Sequence, residues 1–172
     1  LVARLRDLKT FGGENGWGSN YKMNKVQAAA GLVQLSRLDE MNRRRREAAR
    51  RRTRLLDGVK DIVLPAEPPG YEHIYYVYSL LVRPDWAGEK RDTLISILRD
   101  RFGIVCSITN PPTYQRWPYI ARNCGTPVLP CSEDVGRRLF CPPIHPLLTE
   151  NQESYIIAAL LKAIEMVKNG RQ

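Results

Sequence analysis

The stretch that decides the fold is residues 18–39, which read GSNYKMNKVQAAAGLVQLSRLD. It overlaps a glycine-rich segment, residues 11–20, that needs unusual backbone angles or close approach to another group. From Asn24 onward, apolar residues recur at helical spacing and predict a helix. Its apolar face is wide and comprises Val26, Ala29, Ala30, Val33, Leu35 and Leu38.

The flanking segments extend this pattern in both directions. Leu1 to Leu8 has helical spacing, and an arginine-rich stretch continues the helix or starts a second one that ends near Gly58. Beyond Gly58, segments typical of strands and of helices alternate. Strands are predicted at 62–64, 74–82, 104–108 and 139–141, and helices at 91–102, from Ser132 and from the Thr149–Gln152 capping box.

These patterns predict an α/β chain in two parts. Residues 1–57 form helices and one glycine-rich loop, and residues 58–172 form a small α/β domain whose short, mainly antiparallel sheet is packed by helices. A chain of 172 residues with 43% hydrophobic side chains buries a core and is too apolar for disorder. Its apolar runs, such as Tyr155 to Leu161, are too short to cross a bilayer, so we expect no membrane partner.

The cysteine spacing argues against a structural metal. The four cysteines are residues 106, 124, 131 and 141, which lie 18, 7 and 10 positions apart. Neither His73 nor His145 has a partner at ligand spacing, so no zinc site is expected. Four thiols in a sequence that shows no secretory signal indicate a reducing cytoplasm.

Positive charge is concentrated in one segment. The 27 Lys and Arg against 18 Asp and Glu give a net charge of +9, and residues 43–54, with eight Arg and one Glu, supply +7 of it. Such a segment is typical of a solvated helix face or of a nucleic-acid surface. A stand-alone nucleic-acid-binding module that uses the Arg43–Arg54 helix is therefore the alternative function.

Three side chains at the end of the glycine-rich loop form the first candidate site. Asn20, Tyr21 and Lys22 present an amide, a phenol and an amine just before a helix, where free backbone N–H groups favour an anion such as phosphate. The alternative is a tight turn with Asn20 in a left-handed conformation.

Two further candidates lie in residues 58–172. His73 precedes the tyrosine-rich strand, and it either contacts a substrate or is a structural hydrogen-bonding residue. His145 is expected to have a structural role. The loop at 110–119, which carries Tyr114, walls a pocket or covers an edge of the core.

The 18–39 stretch resembles the DegT/StrS-type sugar aminotransferases, which are pyridoxal-phosphate (PLP) enzymes of aminotransferase fold type I. That family typically has Gly-x-Asn-Tyr-Arg-Met, then Gln-Ala-Ala, then Gln-Leu-x-x-Leu-Asp and an arginine-rich helix. Further matches follow in the family's order over essentially the whole chain. They are the tyrosine-rich strand after His73, Arg91-Asp92, Phe102-Gly103-Ile104, Pro111-Pro112 and the segment from Pro143 to Thr149.

The resemblance implies an enzyme that moves an amino group from glutamate or glutamine to a nucleotide-linked keto sugar or a keto cyclitol. Family members are considerably longer, and their Schiff-base lysine and the carboxylate beside the pyridine nitrogen precede the part that matches here. The chain is therefore expected to be the C-terminal portion of such an enzyme and inert alone, because PLP chemistry needs that lysine. An alternative is a partner chain that docks on a separately encoded cofactor domain.

The resemblance also implies roles for the candidate residues. In a homodimer with a shared active site, Asn20 reaches the PLP phosphate of the neighbouring subunit, and Lys22 stands where the family usually has Arg. Tyr21, His73 and Tyr114 are expected to bind substrate, although many relatives have His at the position of Tyr114. The arginine run becomes a solvated helix face rather than a nucleic-acid surface.

Residues 1–57 are then expected to belong with a larger domain. Their apolar face would lack its natural cover in this chain alone, and exposed patches of that kind usually mark an interface. We therefore predict self-association, or another chain that covers Val26, Ala29, Ala30 and Val33.

Overall fold

The structure, a computed structural model, describes residues 1–10, 16–109 and 111–170. The chain divides into two compact units, Leu1–Glu40 and the residues from Met41 onward. The division falls earlier than the predicted boundary at residue 57, because the later part of the arginine-rich helix packs into the second unit. The assignment of residues 1–57 to a larger domain stays a prediction.

The first unit contains two exposed helices, α1 (Val2–Lys9) and α2 (Lys25–Ser36). A capping box starts α2: the Asn24 side chain accepts from the Gln27 N–H (2.8 Å), and the Gln27 side chain accepts from the Asn24 N–H (3.1 Å). The predicted apolar face is exposed to solvent along α2: Val26 is 79% exposed and Val33 is 56% exposed. Its cover by another chain stays a prediction.

A third helix, α3 (Leu38–Leu56), starts immediately after α2. Arg37 caps the end of α2, so the arginine run belongs to a second helix rather than to a continuation of the first. On α3, Ala49, Arg52 and Leu56 lie on one stripe and are buried in the second unit. The buried stripe makes α3 part of the core.

The sheet of the second unit is short and antiparallel, as predicted. Its strands are β1 (Ile62–Val63), β2 (Leu80–Val82) and β3 (Leu139–Phe140), in the order β1-β2-β3. Ile62 pairs with Val82, and Leu80 pairs with Phe140. β2 is therefore the central strand.

Two of the strand predictions are wrong in extent. Of the predicted strand at 74–82, Leu80–Val82 pairs in the sheet, because Tyr75 adopts a left-handed conformation (φ 50°) and turns the preceding segment away. Burial of the Tyr75 and Tyr78 side chains takes precedence over strand pairing here. The predicted strand at 104–108 contributes an isolated bridge from Ser107 to Cys141.

The remaining helices complete the second unit. They are α4 (Glu89–Phe102), α5 (Thr113–Arg116), α6 (Pro118–Cys124), α7 (Pro130–Arg138) and α8 (Glu150–Lys168), with a 3₁₀ turn at Pro84–Trp86. The predicted loop at 110–119 thus contains α5 and the start of α6, and its first residue, Asn110, lies outside the described residues. Pro130 begins α7 two residues before the predicted start, since proline suits the first helical turn.

The core lies between α4, α8 and the sheet. The Thr149–Gln152 capping box starts α8, which confirms the sequence prediction. The core side chains include Tyr78, Leu80, Val82, Leu94, Leu98, Phe140, Ile156, Leu160 and Ile164. In the described part of the chain, each helix is too short or too polar to span a membrane.

Candidate functional site

The loop before α2 forms a tight turn in the first unit. Asn20 is left-handed (φ 52°), and the Lys22 N–H donates to its carbonyl oxygen (2.9 Å). The N–H groups of Ser19 and Asn20 donate to Leu8 and Thr10 of the chain around the end of α1, at 2.9 and 2.7 Å. The structure therefore confirms the left-handed turn and brings Asn20 and Lys22 together.

Backbone N–H groups around this turn are largely engaged. Those of Asn20, Lys22, Asn24 and Gln27 all donate to oxygen atoms of the same unit. The expectation that free backbone donors cradle an anion is therefore wrong for these four groups. The side chains of Asn20, Tyr21 and Lys22 are exposed, so the turn offers an anion an amide and an ammonium group.

His73 sits in a hydrogen-bonded segment of the second unit. Its N–H donates to Glu67 Oε1 (2.8 Å), and its carbonyl accepts from Arg46 Nη1 of α3 (3.1 Å). Arg46 also forms ion pairs with Glu67 (3.1 Å) and Glu72 (3.0 Å). The His73 N–H, together with Arg46, lowers the pKa of Glu67 against a smaller opposing effect of burial.

The ring of His73 has a defined tautomer in its neutral form. Its Nδ1 accepts a hydrogen bond from the Tyr75 N–H (2.8 Å). An accepting Nδ1 leaves the proton of the neutral ring on Nε2. The exposed ring can therefore donate a hydrogen bond through Nε2.

Aromatic rings connect His73 to the core. Its ring centroid lies 4.4 Å from that of Tyr75, which in turn lies 6.1 Å from that of Tyr78. The Tyr78 hydroxyl bonds with Thr53 Oγ1 (2.7 Å), and burial raises the pKa of Tyr78. The Arg52 guanidinium lies 4.9 Å from the Tyr78 ring centroid. The left-handed turn at Tyr75 is thus stabilised by the packing of its ring between His73 and Tyr78.

Arg52 and Glu153 form a buried ion pair that sequence reasoning missed. Two hydrogen bonds join them, at 2.6 and 2.7 Å, and Arg52 Nη2 also donates to the Pro143 carbonyl (2.8 Å). Both residues are almost inaccessible, at 0% and 3% exposed. Helical spacing could have revealed Arg52, because it falls on the same stripe as Ala49 and Leu56.

The arginine run is therefore more than a solvated face. That interpretation is wrong for Arg52 and incomplete for others that pair with carboxylates of the chain. The pairs are Arg43–Glu47, Arg46–Glu67, Arg51–Glu150 and Arg52–Glu153. Arginines held in this way lose much of their attraction for phosphates, which weighs against the nucleic-acid alternative.

Tyr114 anchors the proline-rich loop to α7. Its hydroxyl donates to Glu133 Oε1 (2.6 Å), which also accepts from the Leu129 N–H (3.1 Å). The bond to Glu133 raises the pKa of Tyr114 to about 12. Loop and helix line an open cavity of about 790 Å³, whose lining includes Pro112, Tyr114, Arg116, Trp117, Leu129 and Val135. The loop therefore lines one side of this cavity, and its role as a substrate pocket stays a prediction.

The four cysteines differ in burial, and His145 makes a local hydrogen bond. Cys106 and Cys141 are buried, whereas Cys124 and Cys131 are exposed, and all four are free thiols. Burial raises the pKa of Cys106 to about 12, which makes it a poor nucleophile. Nδ1 of His145 accepts from the Leu147 N–H (3.2 Å). Within the described residues, no three His, Cys, Asp or Glu cluster closely enough to hold a metal ion.

The sequence of the chain matches a known protein family. Residues 3–161 match the DegT/DnrJ/EryC1/StrS aminotransferase family. The chain belongs to this family. That membership confirms the resemblance seen in the 18–39 stretch, and the matched range includes every candidate site residue.

Two of the relatives are named as aminotransferases of dTDP-linked sugars. The chain is 34% identical over 143 residues to dTDP-4-dehydro-2,3,6-trideoxy-D-glucose 4-aminotransferase of Saccharopolyspora spinosa, an alignment that covers 83% of this chain and 35% of the relative. It is 30% identical over 173 residues to dTDP-3-amino-3,4,6-trideoxy-alpha-D-glucose transaminase of Micromonospora megalomicea subsp. nigra. That alignment covers 93% of this chain and 44% of the relative.

Solved structures confirm the fold. The aminotransferase TlmJ from Streptoalloteichus hindustanus superposes with a TM-score of 0.84 at 26% identity, over 96% of this chain and 45% of TlmJ. The chain thus spans 35–45% of the length of these three relatives. The α/β fold class is confirmed, and the roles of individual side chains stay predictions.

Proposed function

We propose that the protein containing this chain is a PLP-dependent transaminase that moves an amino group from glutamate or glutamine to a nucleotide-linked keto sugar. The observation that carries the proposal is the family match over residues 3–161, together with two relatives whose names specify dTDP-linked sugars. These names favour a nucleotide-linked sugar over a keto cyclitol. PLP, when bound, supplies the electron sink that amino transfer requires.

In this proposal Asn20 and Lys22 contribute one side of a phosphate site. The left-handed turn exposes the Asn20 amide, and Lys22 adds a positive charge two residues later. An amide donor and an ammonium fit a phosphate group, although Lys binds it as a point charge without the fork of Arg. Because their side chains face solvent in this chain, the phosphate belongs to a site completed by other protein, which we propose is the neighbouring subunit of a homodimer.

Three other residues are proposed substrate contacts. His73 donates a hydrogen bond through Nε2, because its Nδ1 is engaged by Tyr75. The hydroxyl proton of Tyr114 is held by Glu133, so Tyr114 contacts a substrate through its ring. Tyr21, 82% exposed, extends from the same turn as Asn20.

The proposal assigns the Schiff-base lysine to protein outside this chain. The 172-residue chain is then inert by itself, and the complete enzyme works in the cytoplasm. The test is to incubate the full-length protein with PLP, glutamate and a dTDP-linked keto sugar, and to measure the amino sugar and 2-oxoglutarate. We expect both products from the full-length protein and neither from the 172-residue chain. Failure to aminate any dTDP-linked keto sugar with either donor would contradict the proposal.

Variants of the turn test the phosphate contact. In the full-length protein, Asn20→Ala should weaken PLP affinity about tenfold, since one lost hydrogen bond to a charged acceptor costs about 1.5 kcal/mol at the low end of its range and 1.4 kcal/mol is tenfold. Lys22→Ala should cost a similar factor, and Lys25→Ala, an exposed lysine on α2, is the matched control.

Mixed dimers test whether the contact crosses the subunit interface. An Asn20→Ala subunit paired with a subunit that lacks the Schiff-base lysine regains one complete site if Asn20 acts on its neighbour. Activity near half that of the unaltered dimer is expected. If activity stays low, Asn20 acts within its own subunit.

A further inference from the structure

The segment around His73 contains a strained residue. Tyr75 is left-handed (φ 50°), a conformation that is uncommon for a bulky aromatic side chain. Its ring is buried and packs between those of His73 and Tyr78. Strain of this kind persists where surrounding contacts hold it, and it is concentrated at functional sites. The contacts that hold this segment therefore indicate which of its side chains is being placed.

Those contacts converge on His73. Glu67 Oε1 accepts a hydrogen bond from the His73 N–H (2.8 Å), and Arg46 Nη1 of α3 donates to the His73 carbonyl oxygen (3.1 Å). Arg46 and Glu67 also pair with each other at 3.1 Å, and their side chains are only 14% and 22% exposed. One shielded ion pair, which we term the Arg46–Glu67 clamp, thus holds both backbone groups of a single residue.

The clamped residue keeps an exposed side chain. The buried rings of this segment are those of Tyr75 and Tyr78, whereas the His73 ring is exposed. Its Nδ1 is occupied by the Tyr75 N–H (2.8 Å), so the proton of the neutral ring lies on Nε2. The contacts therefore fix the orientation of a donor that the core itself does not use. A supporting shell of this kind is what a precise binding group requires.

We propose that Arg46 and Glu67 are positioning residues, whose ion pair fixes the backbone of His73 so that its ring presents the Nε2 proton to an oxygen of the substrate. The inference rests on the proposed function, in which His73 contacts the keto sugar. A sugar offers hydroxyl and carbonyl oxygens, both of which accept a hydrogen bond from a neutral imidazole.

Steady-state amination of a dTDP-linked keto sugar by the full-length protein tests this role. His73→Asn keeps an acceptor for the Tyr75 N–H and lacks Nε2. It should raise the KM for the sugar about tenfold and leave kcat within about twofold, because a lost contact to bound substrate changes KM. Arg46→Met and Glu67→Ala should raise KM about fivefold. Glu67→Gln, which keeps an acceptor oxygen for the His73 N–H, should stay within about twofold of the unaltered protein.

A double variant distinguishes positioning from a general loss of stability. Because Arg46 acts through His73, adding Arg46→Met to His73→Asn should raise KM by no more than about twofold beyond His73→Asn alone. A merely structural role would lower kcat with the fraction of folded protein and leave KM unchanged. Arg51→Met, on the same helix and paired with the exposed Glu150, is the matched control and should keep KM within about twofold. Multiplied KM effects in the double variant would overturn the proposal.

The ring of His73 provides a readout that needs no activity. The 172-residue chain has two histidines, and nitrogen NMR of their neutral rings identifies which nitrogen carries the proton. Loss of a signal in His73→Asn assigns His73. The unaltered chain should show the His73 proton on Nε2 alone, whereas Arg46→Met and Glu67→Ala should show exchange between Nδ1 and Nε2. The same single tautomer in all three proteins would overturn the role of the clamp.

The two proposals fail separately. If keto sugars are aminated and KM is independent of Arg46 and Glu67, the clamp assignment is wrong and the proposed function stands. If the His73 tautomer depends on both residues and no keto sugar is aminated, the clamp stands and the proposed function is wrong.

Discussion

Helices α2 and α8 carry similar apolar spacing and have opposite surroundings. Every residue of α2 is exposed or half-buried, whereas α8 buries one face that includes Ile156, Leu160 and Ile164. Both begin with a complete capping box, so their local start signals are equivalent. Helical periodicity therefore predicts that a helix forms, and the tertiary partner decides whether its apolar face is buried.

This difference divides the roles of the two units. The residues from Met41 onward hold a core and a buried ion pair, and they account for the stability of the chain. Leu1–Glu40 presents Asn20 and Lys22 on a turn without burying the apolar face of α2. We therefore expect the second unit to be the more stable of the two.

The largest expected effect comes from the buried ion pair of the second unit. Arg52→Met leaves the Glu153 carboxylate buried without its cation, which should lower the free energy of unfolding by about 3–5 kcal/mol. Urea unfolding of the chain measures it. Replacing both residues, Arg52→Met with Glu153→Leu, should recover most of the loss.

The matched control for that variant is Arg51→Met. Arg51 pairs with Glu150, which is 88% exposed, so its loss should change the free energy of unfolding by at most about 1 kcal/mol. Equal effects of the two arginine variants would contradict the role given to Arg52.

A pair of leucine variants compares the two helices directly. Leu160→Ala, which empties a site 1% exposed, should lower the free energy of unfolding by about 2–5 kcal/mol. Leu32→Ala on α2, at a site 70% exposed, should change it by about 0.5 kcal/mol or less. Urea unfolding measures both variants. If Leu32→Ala lowers the free energy of unfolding as much as Leu160→Ala does, α2 is buried.

The capping boxes of α8 and α2 allow the same comparison with smaller expected changes in stability. Thr149→Ala should lower the free energy of unfolding by about 1 kcal/mol, because it removes the acceptor for the Gln152 N–H. Asn24→Ala removes the equivalent acceptor from α2 and should reduce its local helicity without moving the main unfolding transition. Amide chemical shifts of α2 and the urea midpoint report the two effects.

The smallest effect is a pH dependence near His73. The pKa of Glu67 is lowered in the folded chain, so its contribution is present above the ordinary value of 4.5 and is lost as the pH falls through the lowered value. Amide exchange of residues 67–73 should therefore accelerate below pH 4.5, after correction for intrinsic rates. Glu67→Gln should abolish this pH dependence, and unchanged dependence in that variant would assign it to another group.

Local signals explain which parts of the fold the sequence predicts. Thr149 with Gln152 marks the start of α8 through bonds within four residues, and Gly103 ends α4 in the left-handed conformation expected of a helix cap. The left-handed turn at Asn20, the alternative interpretation of this loop, includes a local bond from the Lys22 N–H to the Asn20 carbonyl. In each case the cause lies within a few residues of its effect.

Long-range contacts account for the errors. The tyrosine-rich segment has strand composition, yet Tyr75 and Tyr78 turn inward toward a core built largely from α4 and α8. The sequence pattern groups Arg52 with its arginine neighbours, although its partner Glu153 lies 101 positions away. The open cavity beside Tyr114 depends on Glu133 of α7, which no local pattern links to the loop.

Hydrogen exchange of the 172-residue chain tests most directly whether the two units differ in stability. We expect amides of α4 and α8 to exchange at least about 1,000-fold more slowly than in an unfolded chain, and those of α2 to exchange within about tenfold of the unfolded rate. Protection of α2 equal to that of α8 would show that Leu1–Glu40 is stable by itself, and would contradict the account.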